Sequence, residues 1–168
     1  MNKYLILLIA AVAFTFVSCN NDTEPGGTEV KSMSGEWWVT CTFESTPGVW
    51  EDAVGGHVKF STYNTAANKS TEMCLNDLGK IWPFKSVVDV DYTAKTFSTK
   101  AAVSTNNAAK PTVTVLIKDG KVLKGAAKTP SGLAADSIVF YSTFSDDPTT
   151  VYKISGFRRT GFPEDDFE

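Results

Sequence analysis

The sequence contains few of the residues from which catalytic and metal sites are usually built. Its 168 residues include one histidine, His57, three cysteines and two arginines. A zinc site needs Cys and His ligands at short, regular spacings, and none occur here. A Ser-His-Asp hydrolase needs a nucleophile beside its histidine, and no G-x-S-x-G turn is present. We therefore assign no catalytic residue, metal or cofactor, and a hydrolase with His57 as base is the least favoured hypothesis.

The chain also lacks a basic stripe. Its formal net charge is −3, and 42 % of its residues are apolar against 21 % charged, as in ordinary soluble domains. This balance argues against a nucleic-acid partner, and the length favours one domain. Three carboxylate groups, Asp89/Asp91, Asp146/Asp147 and Glu164–Asp166, lack an apolar setting that would raise a pKa for acid catalysis. We interpret them as surface groups, the third in a solvated acidic tail over residues 163–168.

The first residues have the pattern of an export signal. Met1-Asn2-Lys3 is basic, Tyr4 to Val17 is almost entirely apolar, and Ser18-Cys19 follows. The run is short for a membrane span but typical of a signal peptide. A cysteine directly after a small residue resembles the lipobox of bacterial lipoproteins. The resemblance predicts a signal peptide over residues 1–18 and a lipid anchor on Cys19. The protein would then be an outer-membrane lipoprotein of the cell envelope, on the periplasmic face or the cell surface. The alternative is an ordinary secretion signal with an incidental cysteine.

The next segment is polar and rich in glycine and acidic residues. It offers too little apolar surface to fold alone, so we predict a flexible tether over residues 19–32. The folded domain is then expected to span residues 33–162.

From Gly35 onward, apolar and polar residues alternate with period two. Segments rich in β-branched and aromatic residues recur, and no window has helical spacing. The pattern predicts an all-β domain with strands near 35–43, 57–65, 73–75, 87–92, 96–102, 112–118, 121–126, 137–144 and 151–157.

The connections between these strands alternate in length. Short turns are predicted at 66–70, 91–95, 146–149 and at Asp119-Gly120, a typical two-residue hairpin pair; longer loops are predicted at 45–56, 76–84, 103–111 and 127–136. This alternation favours a single up-and-down β-barrel of eight or nine antiparallel strands with one open mouth. In a ring of nine strands, the first and last strands would pair in parallel. A ring that is antiparallel throughout therefore requires that one predicted strand is wrong or that a terminal strand lies outside the barrel. A Greek-key sandwich is the alternative.

Two sets of residues carry a resemblance. Gly35-Glu36-Trp37 resembles the lipocalin G-x-W signature, in which the tryptophan plugs the closed end and a late arginine, here Arg158 or Arg159, packs over it. The wider pattern is similar to the lipid-binding putative hydrolase family, lipocalin-like lipoproteins of gut Bacteroides and relatives. It spans about residues 35–162 and rests on Gly35–Thr40, Gly56–Val58, Thr62–Ala66 and Lys95–Ser98. The resemblance implies a lipocalin-like barrel with Gly35, Trp37 and Arg158 as its plug.

Large aromatic side chains are the candidates for ligand binding. Trp50, Trp82 and Phe84 fall in the predicted long loops, where they either rim an apolar pocket or fold back over the core. Alternation places candidates on the predicted barrel wall as well, namely Phe60, Tyr63, Phe97, Phe140, Tyr141 and Phe144. We expect a lipid-anchored protein that binds a small apolar or amphipathic ligand in a preformed pocket. The alternative is a non-catalytic module that binds glycan or a partner protein.

Two cysteines remain within the predicted domain, Cys41 and Cys74. The envelope would permit a disulfide, but the cysteines lie on strands that are not neighbours in a meander, so buried free thiols are favoured. We expect a monomer.

Overall fold

A computed structural model describes residues 27–167 of the chain. The predicted signal peptide, Cys19 and the predicted tether up to residue 26 lie outside the described residues. Ten strands are present: β1 Gly35–Thr46, β2 Val49–Asp52, β3 Val58–Asn64, β4 Glu72–Asn76, β5 Lys85–Asp91, β6 Thr96–Ser98, β7 Val103–Ser104, β8 Thr114–Lys128, β9 Ala134–Phe144 and β10 Asp147–Arg158. Short 3-10 helices lie at Lys31–Met33 and Pro163–Asp165. No helix within residues 27–167 is long and apolar enough to cross a membrane.

Eight of the ten strands form a closed antiparallel ring. Following the ring from β1, the strands are β3, β4, β5, β6, β8, β9 and β10, and β10 pairs back onto β1 from Trp37↔Arg158 to Phe43↔Tyr152. The short strands β2 and β7 pair with β1 and β8 outside this ring. The predicted all-β barrel is confirmed, and the closed ring excludes the sandwich.

The predicted hairpin at Asp119-Gly120 is wrong. Both residues lie inside β8, one continuous strand from Thr114 to Lys128. The pairing with β9 shifts between Lys118 and Lys121, so Asp119 and Gly120 form a bulge. Asp119 has φ +53°, the left-handed conformation that Asp-Gly also supplies in turns. The predicted strands 112–118 and 121–126 are therefore parts of one strand. This leaves eight of the nine predicted strands, an even number that can close with antiparallel pairing throughout.

The bulge also changes which end of the barrel the later connections occupy. Because the chain does not reverse at Asp119, the β8–β9 turn at 129–133 lies at the end where β1 begins, which we call the closed end. The β9–β10 turn at 145–146 joins the loops 77–84 and 99–113 at the opposite end, which we call the open end. The predicted alternation of short turns and long loops is wrong at these two connections: the long loop predicted at 127–136 is a short turn at the closed end, and the short turn predicted at 146–149 lies at the open end.

Alternating residues of each strand fill the barrel. On β1, Trp37, Val39 and Cys41 are fully buried, as period two requires. Trp38 faces outward and is nonetheless only 4 % exposed, because it packs with Phe157 and Ala135 in a second cluster on the outer wall.

The segment before β1 is part of the folded domain. Val30 and Met33 are both fully buried in the barrel core. The Thr62 hydroxyl, inside the barrel, donates to the Met33 carbonyl at 2.6 Å. Within the tether predicted over residues 19–32, Val30 is therefore held at the closed end, while most of its neighbours in residues 27–32 are exposed.

The acidic tail packs on the outer wall of the barrel. Asp165 is fully buried and accepts hydrogen bonds from the Ser131 backbone N–H at 2.9 Å and the Thr160 hydroxyl at 2.8 Å. Asp166 accepts a hydrogen bond from the Trp38 indole at 2.9 Å and pairs with Arg159. The interpretation as a solvated tail is wrong for Asp165 and Asp166, which have specific donors on the wall, whereas Glu164 is exposed.

Candidate functional site

The closed end is sealed by the predicted plug residues. The Trp37 indole N–H donates to the Thr62 hydroxyl at 2.9 Å, and the Arg158 guanidinium lies over the Trp37 ring, 4.6 Å from its centroid. A Cβ on Gly35 would lie 2.8 Å from Nη1 of Arg158. The glycine therefore leaves the space in which the arginine reaches the tryptophan, which gives the G-x-W pattern a steric cause.

The predicted interior aromatics pack against one another. Phe140 lies 5.4 Å from Phe60 and 5.6 Å from Phe97 between ring centroids, and Phe60 lies 6.0 Å from Phe84. All four are at most 3 % exposed. These distances are typical of aromatic core packing, so the four rings form part of the barrel's packed core.

Of the remaining predicted wall residues, Phe144 is fully buried in the core, whereas Tyr63 and Tyr141 face outward. Tyr63 is partly exposed, with the Lys85 ammonium 5.7 Å from its ring centroid. Tyr141 is also partly exposed and pairs with Lys118 on β8 and Lys153 on β10.

A buried carboxylate organises the loop at the open end. Asp77 is 1 % exposed and accepts hydrogen bonds from four backbone N–H groups, those of Gly79, Ile81, Trp82 and Phe84, at 2.9–3.1 Å. An ionised carboxylate can accept this many donors. Asp77 therefore fixes the loop 77–84 and sets Trp82 and Phe84 over the barrel.

Trp82 covers the open end of the core. Its ring stacks on Phe144 at 4.9 Å with an interplanar angle of 13°, and its indole N–H donates to Asp146 at 3.0 Å. Lys110 donates to the other Asp146 oxygen at 2.9 Å. The hydrogen bonds from Lys110 and Trp82 hold the pKa of Asp146 below its usual value. Of the two expectations for Trp82, this geometry matches a cover folded back on the core.

Trp50 lies in a different setting at the same end. It is 43 % exposed on β2 and lines a groove of about 660 Å³ that runs from the β1–β2 hairpin to the start of β10. The other lining residues are Phe43, Glu44, Ser45, Tyr141, Thr149, Thr150 and Val151. The Lys153 ammonium lies 5.5 Å from the Trp50 ring centroid. Of the predicted binding residues, this groove brings together Trp50 and Tyr141.

Comparison with known families identifies the domain. Residues 22–163 match the family described as lipid-binding putative hydrolase. The chain belongs to this family. No protein of curated function matches the sequence.

The hydrolase part of the family's description directs attention to His57. In this member of the lipid-binding putative hydrolase family, His57 is exposed at the outer wall, and its ring stacks on Phe167 at 4.0 Å and 7°. Partial burial of the imidazole lowers the pKa of His57 from its usual value, and the nearby charge of Asp52 works in the opposite direction. Within residues 27–167, no serine or carboxylate is hydrogen-bonded to His57, so the described residues do not assemble a triad around it.

The cysteines of this family member are free thiols in the described part of the chain. Cys41 is buried, and burial together with the charges of Asp52 and Asp77 raises its pKa to about 12. Cys74 is only half-buried on β4, so the expectation of burial holds for Cys41 alone. No cluster of three or more potential metal ligands occurs in residues 27–167.

Sequence reasoning missed the roles of Asp77 and Phe167. Asp77 follows a strand and precedes Leu78-Gly79, a pattern that turns commonly show and that does not reveal four converging N–H donors. Phe167 lies in a segment dominated by acidic residues, and nothing in its spacing points to Trp38 or His57. The four donors to Asp77 all come from the loop 77–84, and the partial burial of Phe167 comes from contacts with distant parts of the chain.

Proposed function

We propose that this protein binds a lipid or another small amphipathic molecule, and that the site is the groove between Trp50 and Tyr141. The family match supports a lipid ligand. The observation that supports the groove over the barrel interior is the core packing, where Phe60, Phe97 and Phe140 occupy the space that an open lipocalin-like cavity would need.

The groove has the composition of an amphiphile site. Trp50 and Val151 are 43 % and 50 % exposed, so covering them would remove apolar surface from water. Thr149 and Thr150 supply hydroxyl groups along the same wall. Apolar walls with a few polar groups are typical of small-molecule sites.

We further propose that Cys19 carries a lipid anchor and that the protein is an envelope lipoprotein. Ser18-Cys19 after the apolar run supports this assignment, and several acyl chains anchor more firmly than one. The described chain begins beside the closed end, where Val30 and Met33 are buried. An anchor at Cys19 would therefore tether the closed end and leave the groove at the far end.

Binding is tested with the Cys19→Ser chain and the neutral apolar probe N-phenyl-1-naphthylamine. We expect the probe to quench tryptophan emission, and Trp50→Ala to weaken binding about tenfold, which corresponds to about 1.4 kcal/mol. His57→Ala is the control and should stay within about threefold. If Trp82→Ala alters affinity while Trp50→Ala does not, the ligand enters beneath Trp82 and the groove assignment is wrong.

Anchoring is tested by fractionation of cells that express the full chain. Cys19→Ser should move the protein from the membrane fraction to the soluble fraction. Retention of the variant in membranes would contradict the anchor.

The exposed apolar side chains support a second candidate function. Val49, Trp50 and Val151 lie at the open end and are 43–50 % exposed, and exposed apolar patches can serve as contact surfaces. If no amphiphile or apolar probe binds, the same face becomes the candidate surface for a glycan or a partner protein.

A further inference from the structure

The lysines beside the groove are placed by strand register. Thr42 on β1 pairs with Lys153 on β10, which pairs with Tyr141 on β9, which pairs with Lys118 on β8. Directly paired residues in antiparallel strands point to the same face. Lys118 and Lys153 therefore flank Tyr141 on the outer wall, at the end of the groove away from the hairpin tip.

Three carboxylates near the groove accept hydrogen bonds from neutral N–H and O–H groups, which orient these carboxylates without cancelling their charge. Glu44 accepts the Gly48 N–H at 2.6 Å, and Asp52 accepts the backbone N–H groups of Val54 and Gly55. Asp147 accepts hydrogen bonds from the hydroxyl groups of Thr150 and Tyr152.

The two ammonium groups have no such partners. Within residues 27–167, no carboxylate lies within 4.0 Å of Lys118 or Lys153. The Lys153 ammonium instead lies over the Trp50 ring, a contact that leaves its N–H donors free for a ligand. Lys153 therefore offers free N–H donors beside Trp50, which lines the groove.

From this arrangement we propose that the ligand is an anionic single-chain amphiphile, whose head group pairs with Lys153 and whose chain lies along Trp50 and Val151. This inference rests on the proposed function of the groove. A carboxylate or sulfate head would be held by charge-assisted hydrogen bonds, which are stronger than neutral ones. Lys118, one strand beyond Tyr141, adds a second positive charge on the same side.

The head-group preference is measurable by displacement of N-phenyl-1-naphthylamine from the Cys19→Ser chain. The competitors share one chain length: dodecanoate, dodecyltrimethylammonium and a neutral dodecyl glycoside, each below its micelle concentration. We expect dodecanoate to bind about tenfold more tightly than the glycoside, with the cation weakest. Added salt should reduce the advantage of dodecanoate, since exposed charges are screened.

Charge variants assign that preference to a residue. Lys153→Gln should weaken dodecanoate binding about tenfold and leave glycoside binding within about twofold, whereas Lys153→Arg should retain the preference. Lys128→Gln is the matched control, because Lys128 is an exposed lysine of β8 near the closed end. Equal binding of all three competitors would overturn the head-group inference and leave the proposed function standing. Failure of every competitor and of the probe would overturn the proposed function.

Discussion

The Arg158 guanidinium covers the Trp37 ring at 4.6 Å and at the same time bonds the chain that enters the barrel. Its Nη2 donates to the Ser32 carbonyl at 2.9 Å, and its Nη1 donates to the Ser34 carbonyl. One side chain of the last strand thus fixes both the plug and the entering segment. Arg158 is also 3.3 Å from Asp136, which joins β9 to the same arrangement.

Removal of the plug should destabilise the whole barrel. Trp37 is fully buried, and truncation of a buried aromatic side chain typically costs about 3–5 kcal/mol. We expect Trp37→Ala to lower the denaturant midpoint accordingly in equilibrium unfolding. Trp50→Ala, at an exposed site on the short outer strand β2, should cost less than about 1 kcal/mol. An unchanged midpoint in Trp37→Ala would show that the plug contributes nothing to stability.

Asp77→Asn should destabilise the protein although the substitution changes few atoms. The asparagine amide has one acceptor oxygen where the aspartate carboxylate has two. Some of the four backbone N–H groups that donate to Asp77 would therefore lose their acceptor. Buried donors without partners cost about 1–3 kcal/mol each, and we expect a loss of roughly 3 kcal/mol in urea unfolding. Asp89→Asn, an exposed carboxylate paired with Lys100, should change stability by less than about 0.5 kcal/mol.

Gly120→Ala tests the bulge in β8. A Cβ at this position would lie 2.4 Å from the Phe97 ring and 2.5 Å from the Phe97 carbonyl oxygen. Such overpacking typically costs about 1–3 kcal/mol, which thermal unfolding would detect. Asp119→Asn is the control, since asparagine tolerates the left-handed backbone, and it should be nearly neutral. Equal stability of Gly120→Ala and wild type would mean that β6 and β8 are not this close.

The Cys41 thiol should make the barrel sensitive to alkaline pH. Its pKa rises from 9.0 to about 12 in the fold, so the unfolded chain loses this proton first as pH increases. The stabilisation is complete below pH 9 and is lost between about pH 9 and 12. The loss at pH 10 should be about 1.4 kcal/mol from this group.

Urea midpoints at pH 8 and pH 10, under reducing conditions, measure this effect. The difference between the two should be smaller in Cys41→Ala than in wild type. Cys74→Ala should behave more like wild type, because its thiol is only half-buried. An identical pH dependence in all three proteins would contradict the assignment to Cys41.

Alternation in the sequence predicted most of the fold because it reports which side of a strand is buried. Trp37, Val39 and Cys41 are inward as period two requires. The Asp119-Gly120 error arose because a left-handed Asp followed by glycine occurs in hairpins and in bulges alike. The closed ring of strands distinguishes a bulge from a hairpin here, because Gly120 pairs with Phe97 on β6. This contact joins distant parts of the chain and is not visible in the local sequence.

The candidate site was less predictable, because strand register determines it. Phe140 and Tyr141 are adjacent in sequence, yet Phe140 is fully buried in the core and Tyr141 lines the outer groove. A shift of one residue would exchange them. Trp50 and Trp82 looked equivalent as loop aromatics, but only Trp82 has a partner such as Phe144 beneath it.

The pairing of the first strand with the last also has a consequence for how the chain reaches this state. Arg158 bonds Ser34 across 124 positions of sequence, so the ring stays open until the C-terminal strand is present. Barrels dominated by such non-local contacts fold in milliseconds to seconds, more slowly than helical domains. Until β10 is in place, one edge of β1 has unpaired backbone donors and acceptors, and a nascent or truncated chain is exposed to aggregation at that edge.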